Sequence, residues 1–535
     1  MTSTLGSQAV RRVAVLGGGP AGLYTARLLK LARPGWEISL YEQFDPTDTF
    51  GFGVGLSLST QRNLAQSDPD TLAAIVGAAH RGHGSRMYTH RGMIRLDGQE
   101  TLAIARSTLL QILCDHAESI GVRMHIGAPR HHHDVDADII VAADGGGSAT
   151  RRALADELGV TITEGRQRYL WCGTDFALSD ALFAPVATEF GTFTCHAYPY
   201  AADRSTFLVE TDEATWQAAG LETASATVEA DQSDHTAIAY LEAIFTEQLG
   251  GHRLLGNRSR WNRFRTVRCQ SWYTGNVVMV GDAAHTAHYS IGSGTKLAME
   301  DAIALCEALT AMTSAAPADL TDAFARYQAT RTPTVNRLQQ LADRSQLWWE
   351  SYPRRLDFSP EKLAMSFVSR AGNVPLEAFT KTAPDIVAPA LTEYGAGMPP
   401  DGTSVVDWVV AQPLTHSGRV FPSRVVNPSE LAGPAGAVMT LHTDISDTWG
   451  ADADRFVADC AALLHGGATG VRLTGSPERD AILARLDLAE RLRLELTATD
   501  ALIVVDGPPA LLADLASGLV SARTDLISVQ SGPGR

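Results

Sequence analysis

One glycine-spaced segment near the start of the chain limits its possible folds more than any other feature. Residues 13–16 are a short apolar run, which is typical of a buried parallel strand. A helical pattern follows over 21–31, and a second apolar run over 37–41 ends at an acidic residue. Strand, helix and strand in this order predict a parallel β-α-β unit.

The residues between these elements have the types and spacing of a dinucleotide site. Gly17 permits a tight turn, Gly19 lets a pyrophosphate approach the backbone, and Gly22 lets the helix pack closely on the strand. The helix N-terminus offers unpaired N–H groups to phosphates. Glu42, after the second strand, can accept hydrogen bonds from ribose hydroxyls, which favours FAD or NAD over NADP at this site. The neighbouring residues predicted to contact the dinucleotide are Pro20, Ala21 and Gln43.

Two later segments repeat the pattern of a strand that runs into a polar turn. An apolar strand over 138–143 leads into Asp144 and Gly145. Another over 276–280 ends at Gly281 and Asp282, and a helix is predicted over 295–309. The residues predicted to hold the cofactor at the start of this helix are Gly292, Gly294 and Thr295. Each turn can bring an acid and backbone amides to a nucleotide.

Charge and cysteine content restrict the possible partners. The 535 residues carry 44 basic and 60 acidic side chains, a net charge of -16, which argues against nucleic acid or an anionic membrane as the main partner. Six cysteines lack C-x-x-C spacing, so free thiols and a reducing compartment are expected. With no signal peptide or membrane span recognised, the chain is expected to be cytoplasmic. The tract His131 to His133 has no fourth ligand nearby, and no metal site is predicted.

Together these motifs resemble the FAD-dependent aromatic hydroxylases of the para-hydroxybenzoate hydroxylase type, over about residues 10 to 390. Asp144 and Gly145 open a D-G-x-x-S-x-x-R motif that also contains Ser148 and Arg151, and Gly281 with Asp282 matches the family's G-D motif. The resemblance further implies that Arg106 lies near the FAD pyrophosphate. It also implies that residues 51–56, with Gly53 and Val54, form a mobile loop near the flavin.

One departure from the family pattern narrows the resemblance. His288 and Lys296 stand where the family carries a proline and an asparagine, so substrate contacts are not transferred from the benzoate enzymes. This version is similar to the salicylyl-CoA and anthraniloyl-CoA hydroxylases and to the indole-oxidising hydroxylases of violacein-type pathways. The predicted catalytic residues are His288 and Tyr289, because a neutral histidine near the flavin edge could orient substrate or relay a proton.

Polar and apolar residues alternate over parts of 168–275, which predicts half-buried antiparallel strands. In the resembled family such a sheet forms the floor of the substrate pocket. Trp171 and Tyr198 are candidates for stacking on an aromatic ring, and plain core packing is the alternative for each. Five arginines within residues 258–268 could bind a coenzyme A tail, and a solvated strand face is the alternative. The substrate-binding arginines predicted from this cluster are Arg258, Arg260 and Arg263.

The expected fold is α/β. A Rossmann-like FAD-binding domain (10–167 and 276–395, the latter with a helical extension) is interleaved with an antiparallel substrate-binding sheet (168–275). Residues 400–535 are predicted as a small α/β module, either a parallel sheet or part of a barrel. They faintly resemble a reduced flavoreductase barrel, and are too short for eight β-α units.

The expected reaction uses NADH or NADPH and O2 through a flavin hydroperoxide to hydroxylate an activated aromatic ring. The preferred substrate is salicylyl-CoA, hydroxylated at position 5, or a related aryl-CoA thioester. The alternatives are an indole or tryptophan-derived intermediate, or a catalytically silent flavin-binding partner protein. A monomer or homodimer is expected.

Overall fold

The structure is a computed structural model that describes residues 11–45, 49, 51–97, 102–312, 317–431, 437–496 and 500–529. The chain divides into two compact units. The first comprises Met1–Arg86 and Asp97–Gln346, and the second comprises Met87–Leu96 and Leu347–Arg535. The division therefore falls inside 276–395, the range predicted as the FAD-binding domain's second part.

The described strands, in chain order, are β1 (Arg12–Leu16), β2 (Glu37–Glu42), β3 (Gly53–Leu56), β4 (Ser85–Thr89), β5 (Gly92–Leu96), β6 (Leu102–Ala105), β7 (Arg123–Ile126), β8 (Ile139–Ala142), β9 (Val160–Thr174), β10 (Ala181–Thr188), β11 (Gly191–Ala201), β12 (Arg204–Thr211), β13 (Leu254–Leu255), β14 (Asn262–Cys269), β15 (Tyr273–Thr274), β16 (Val277–Met279), β17 (Leu414–His416), β18 (Arg419–Phe421), β19 (Val425–Val426), β20 (Val438–His442), β21 (Gly470–Thr474), β22 (Leu502–Gly507) and β23 (Leu526–Val529).

The described helices are α1 (Pro20–Ala32), α2 (Leu58–Ser67), α3 (Pro69–Ala78), α4 (Arg106–Glu118), α5 (Ala149–Ala153), α6 (Ala155–Leu158), α7 (Glu213–Ala218), α8 (Leu221–Ser225), α9 (His235–Ile244), α10 (Thr246–Leu249), α11 (Gly294–Thr310), α12 (Pro317–Glu350), α13 (Pro360–Ser369), α14 (Leu376–Thr382), α15 (Pro384–Tyr394), α16 (Val405–Val410), α17 (Ala451–His465), α18 (Arg479–Glu495) and α19 (Leu512–Val520).

A mainly parallel sheet forms one half of the first unit, in the order β15-β16-β8-β1-β2-β7. Val13 pairs with Ile38 on one side and with Ile139 on the other, and both pairings are parallel. Strands of such a sheet are covered on both faces, which explains why β1 is apolar at consecutive positions. The expected α/β class and the β1-α1-β2 unit are confirmed.

An antiparallel sheet forms the other half of the first unit. Its strands run in the order β13-β9-β12-β11-β10, and β14 also pairs with the long strand β9. The alternating runs at 192–198 and 205–210 lie in β11 and β12, as predicted. Four helices, α7 to α10, occupy part of the range for which the alternation predicted strands. The local pattern misses them because α7, α8 and α10 span only four to six residues each.

The second unit contains a parallel sheet in the order β19-β23-β22-β21-β20. Its strands and helices alternate along the chain, as the sequence predicted. No described strand joins β19 to β20, so these five strands form an open sheet rather than a closed barrel. A buried ion pair, Arg355 with Glu490 at 2.6 Å, lies in this unit. None of the described helices is both long and apolar enough to cross a membrane.

Candidate active site

A cavity of about 920 Å³ opens in the first unit where the parallel and antiparallel sheets meet. The turn after β1, the start of α11 and the loop after β16 line one side, and β9, β11 and β14 line the other. The predicted site residues that line it are Gly19, Pro20, Ala21, Gly53, Val54, Arg106, Gly145, Trp171, Tyr198, Arg263, Asp282, Tyr289, Gly292, Gly294 and Thr295. Residues far apart in the sequence thus form one surface.

The other predicted site residues do not line this cavity. They are Gly17, Gly22, Glu42, Gln43, Asp144, Gly281, His288, Arg258 and Arg260. The glycines among them shape the turns that do line it. A Cβ atom at Gly17 would lie 2.3 Å from the Ala143 carbonyl oxygen, and one at Gly22 would lie 2.0 Å from the Gly17 carbonyl oxygen. Any side chain at either position would therefore force the β1-α1 turn apart.

Two carboxylates hold the turns around the cavity through backbone amides. Glu42 accepts hydrogen bonds from the Gly18 amide at 2.5 Å and from the Phe44 amide at 2.9 Å. Asp144 accepts from the Ser148 hydroxyl at 2.6 Å and from the Thr150 amide at 2.9 Å. These bonds fix the ends of β2 and β8, where a nucleotide would approach the sheet. The predicted contact of Glu42 with ribose remains a prediction.

Arg151 ties two of the motif loops together. Its guanidinium donates to the carbonyl oxygens of Asp282 at 3.1 Å and Ala283 at 2.9 Å, and also to the Gly146 carbonyl. The side chain is buried. The arginine of the D-G-x-x-S-x-x-R motif thus connects the loop after β8 to the loop after β16 by hydrogen bonds.

A buried network of charged side chains around Asp301 also holds the G-D loop, and the sequence analysis did not identify it. Asp301 accepts hydrogen bonds from the Gly281 amide at 2.9 Å, from His285 Nε2 at 2.8 Å and from Arg331 Nε at 2.8 Å. Burial would raise the pKa of Asp301, but its contacts with His285 and Arg331 outweigh burial and lower that pKa. His285 therefore has a structural partner behind the loop.

The segment predicted to be a mobile loop near the flavin is partly a strand. Gly53 begins β3, which pairs with β6. The Gly53 amide donates to Thr206 Oγ1 at 3.0 Å, and its carbonyl accepts from the Tyr198 hydroxyl at 2.8 Å. These bonds attach β3 to the antiparallel sheet at the edge of the cavity.

The polar residues of the cavity suit FAD. Arg106 lines it, and its Nε atom is buried with no hydrogen-bond partner. Burial lowers the pKa of Arg106, and the nearby Asp282 partly offsets this shift. Burial raises the pKa of Asp282 itself. A buried guanidinium nitrogen without a partner is costly unless an acceptor reaches it, and a pyrophosphate is such an acceptor. The first turn of α1 carries no acidic residue that would repel it.

His288 and Tyr289 lie beside a buried carboxylate on the antiparallel sheet. Burial lowers the pKa of His288 to about 4, so its ring is neutral near pH 7. The Tyr289 hydroxyl donates a hydrogen bond to Glu210, which is 3% exposed. His196 lies 3.0 Å from the other oxygen of Glu210. Neither Glu210 nor His196 was predicted, because only the pairing of β11 with β12 brings them to Tyr289.

Acidic side chains form ion pairs with three of the five arginines of the 258–268 cluster. Arg263 pairs with Glu213 at 2.9 Å, and Arg265 pairs with Glu164 at 2.9 Å. The other members also have recorded contacts: Arg268 with Asp343, Arg260 with the Val228 carbonyl, and Arg258 with the ring of Phe44. Arg168, outside the predicted cluster, lines the cavity and shares Glu213 with Arg263. Within the described residues, no group of three or more His, Cys, Asp or Glu side chains is arranged to hold a metal ion.

Comparisons with known proteins find a matching family model and similar chains. A family model described as FAD binding domain matches residues 128–342. The chain is 38% identical over 364 residues to a salicyloyl-CoA 5-hydroxylase from a Streptomyces species, which covers 67% of this chain and 70% of the relative. It is 37% identical to a 3-hydroxy-4-methyl-anthranilyl-[aryl-carrier protein] 5-monooxygenase from Streptosporangium sibiricum, over 68% of this chain and 95% of the relative.

A more distant relative and a solved structure extend the comparison. Protodeoxyviolaceinate monooxygenase from Chromobacterium violaceum is 29% identical over 68% of this chain and 95% of its own length. The crystal structure of 2-methyl-3-hydroxypyridine-5-carboxylic acid oxygenase has the same fold, with a TM-score of 0.51 at 19% identity, over 70% of this chain and 96% of that one. The chain therefore belongs to the FAD-dependent aromatic hydroxylases, enzymes that use FAD and NAD(P)H to hydroxylate a small aromatic substrate.

Proposed function

We propose that this hydroxylase acts at position 5 of a benzoyl thioester that carries a hydroxyl or amino group at position 2, with salicylyl-CoA as the first choice. Two relatives above 35% identity are named for thioesters of this kind, one on coenzyme A and one on a carrier protein. Position 5 is para to the donor group at position 2. A ring carbon para to such a donor is electron-rich, which suits transfer of an electrophilic oxygen.

The observation that carries the proposal is that two chemically different groups of residues line the cavity. Nucleotide-motif residues line one side, whereas Tyr169, Trp171 and Tyr198 of the antiparallel sheet line the other. When bound, FAD supplies the oxygen activation, with reducing equivalents that come from NAD(P)H. The protein's own residues position the aromatic ring against the cofactor and exclude water from it.

Charge at the wall formed by β9 and β14 supports a phosphate-bearing substrate. Three arginines line this wall, Arg168, Arg263 and Arg265, and the two acids paired with them are Glu164 and Glu213. Among these five side chains one positive charge is in excess, on a chain whose net charge is -16. Guanidinium groups bind phosphates in a forked geometry, and both coenzyme A and a carrier-bound pantetheine carry phosphate.

A stopped-flow experiment tests the proposed substrate. The oxidised holoenzyme is mixed with NADH or NADPH, and the rate of flavin reduction is followed with salicylyl-CoA, free salicylate or indole present. We expect salicylyl-CoA to accelerate reduction most, because it brings both a ring for the aromatic residues and phosphates for the arginines that line the cavity. If indole accelerates flavin reduction and neither salicylyl-CoA nor salicylate does, the proposal is wrong.

A pair of variants tests the part played by the arginines. Arg263→Ala is expected to raise the KM for salicylyl-CoA by roughly 10-fold, as expected for loss of a charged hydrogen bond, with little change for free salicylate. Arg253→Ala is the matched control, because Arg253 pairs with Glu242 outside the cavity. Equal effects of Arg263→Ala on ester and free acid would remove the support for a phosphate-bearing arm.

A further inference from the structure

A second cavity, of about 870 Å³, lies in the first unit and is lined by residues of α1, α2, α11 and α12. Thr295 and Ala298 of α11 line the first cavity. Lys296, Glu300 and Ile303 of the same helix line the second. Residues three, four or seven positions apart share one face of a helix, so these two sets lie on different faces of α11. None of the described residues lines both cavities, and the second is therefore a separate candidate site.

The second cavity contains a buried hydrogen-bond donor to which the protein supplies no acceptor. Arg331 of α12 lines the cavity and is 7% exposed. Its Nε donates to Asp301 at 2.8 Å, and its Nη1 lies 3.2 Å from Glu300. Its Nη2 has no hydrogen-bond partner among the described residues. A buried guanidinium N–H without an acceptor costs free energy, so an acceptor that reached it would stabilise this site.

The charges at the second cavity favour a neutral acceptor over an anion. Arg331 already pairs with two acids, Asp301 and Glu300. Lys296 also pairs with Glu300, at 2.5 Å. A further acid, Glu307, lines the cavity. Because three carboxylates accompany these two cations, they disfavour an anionic ligand more than a neutral one with a carbonyl oxygen.

Apolar side chains on one part of the wall determine the rest of the ligand. Leu28 and Leu31 of α1 line the second cavity together with Ile303 and Ala304 of α11. Leu31 is 43% exposed, although it is a large apolar residue. A ligand that covers such a side chain removes apolar surface from water, which is favourable. A short alkyl chain therefore suits this part of the cavity.

We propose that this second cavity binds a small neutral molecule that has a carbonyl group on a short alkyl chain. Its carbonyl oxygen accepts a hydrogen bond from Arg331 Nη2, and its chain packs on Leu28 and Leu31. An alkylammonium group brings only donors, which do not match the Arg331 donor. The site uses no residue that lines the first cavity, so it can exist whether or not an aryl thioester is the substrate.

Three probes with the same chain length test this site on the FAD-loaded enzyme: hexanamide, hexanoate and hexylamine. Isothermal titration calorimetry near neutral pH measures their dissociation constants. Hexanamide is expected to bind at least about 10-fold more tightly than either charged probe, the value of one hydrogen bond to a charged group. Equal affinities for the three probes, or no measurable binding of hexanamide up to its solubility limit, would overturn the proposal.

Variants of two lining residues show whether hexanamide binds in this cavity. Ala304→Leu and Thr334→Phe each fill part of the cavity and should weaken hexanamide binding by roughly 10-fold, because the larger side chain occupies the space of the alkyl chain. Thr334 is exposed, so its variant is expected to fold even if the Ala304 variant does not. Ala325→Leu is the matched control, since Ala325 is a half-buried alanine of α12 that lines neither cavity. Unchanged hexanamide affinity in the Thr334 variant, or a crystal structure with hexanamide in which only water lies on Arg331 Nη2, contradicts the proposal.

Discussion

At the level of single residues, the buried charged side chains around the cavity differ in whether the protein supplies all their hydrogen-bond partners. Arg106 has a buried Nε without a protein partner, whereas Asp301 has three donors. In a site that binds a charged cofactor, polar atoms without a protein partner are expected where the cofactor provides that partner. A purely structural network satisfies them within the protein.

Replacement of Arg106 by methionine tests this distinction. Arg106→Met is expected to weaken FAD binding by roughly 10- to 100-fold, because a charge-assisted hydrogen bond to phosphate is lost. The apoprotein should be about as stable as the wild type, since the buried Nε of Arg106 has no hydrogen-bond partner to lose. The measurements are FAD titration by fluorescence and thermal unfolding of the apoprotein. A variant apoprotein that unfolds at a markedly lower temperature, with FAD affinity intact, contradicts the role.

Local spacing in the sequence predicts some site residues, whereas contacts between distant residues could not be predicted from it. The glycines of the β1-α1 turn are recognisable because their spacing is local, and the predicted strand and helix limits differ from the observed ones by one residue. The contact of Tyr289 with Glu210 joins residues 79 positions apart, and that of Arg263 with Glu213 joins residues 50 apart. Such pairs follow from sheet register and loop direction, which no local pattern contains.

At the scale of elements, α11 and α12 hold the G-D loop in place. Asp301 lies on α11 and Arg331 lies on α12, and their ion pair is buried. The sequence predicted α11 from its apolar pattern and the glycines before it. It did not predict that α12 runs for 34 residues through an internal proline, Pro333.

Neutralising Asp301 should destabilise this arrangement. Asp301→Asn is expected to lower the free energy of unfolding by about 3–5 kcal/mol, because Arg331 would lose a buried partner. The lowered pKa of Asp301 means that its contribution is present above about pH 4, the value of an unfolded aspartate, and is lost as the pH falls further. The variant's stability should therefore fall less steeply below pH 4 than that of the wild type.

Urea unfolding at several pH values measures this difference. Asp136→Asn is the control, because Asp136 and its partner Arg12 are both well exposed. It should behave like the wild type near neutral pH. Equal effects of the two substitutions would show that the buried network does not stabilise the loop.

At the scale of the whole molecule, all residues that line the cavity belong to the first compact unit. The second unit has its own buried charges, with Glu490 between Arg355 and Arg523. Burial would raise the pKa of Glu490, but these arginines lower it to about 2. The β-α alternation in residues 400–535 indicated either a parallel sheet or part of a barrel. The strand order, which makes the sheet open, could not be predicted because it depends on contacts between distant residues.

A substitution in the second unit tests whether the two units have separate tasks. Glu490→Gln is expected to destabilise the second unit by about 3–5 kcal/mol, because two buried arginines lose their shared carboxylate. The dissociation constant of FAD at 25 °C should stay within about twofold of wild type, since no lining residue changes. FAD titration together with limited proteolysis measures both effects. A large loss of FAD affinity would show that the cavity depends on the second unit.

We propose that this FAD-dependent hydroxylase oxygenates an aryl thioester. The most direct measurement is product analysis by mass spectrometry after aerobic turnover of salicylyl-CoA with NADH or NADPH, with ¹⁸O2 as the oxygen source. The expected product has gained one labelled oxygen atom at position 5, in an amount that matches the NAD(P)H consumed. Oxidation of NAD(P)H at the same rate with and without salicylyl-CoA, and no labelled product, would contradict it.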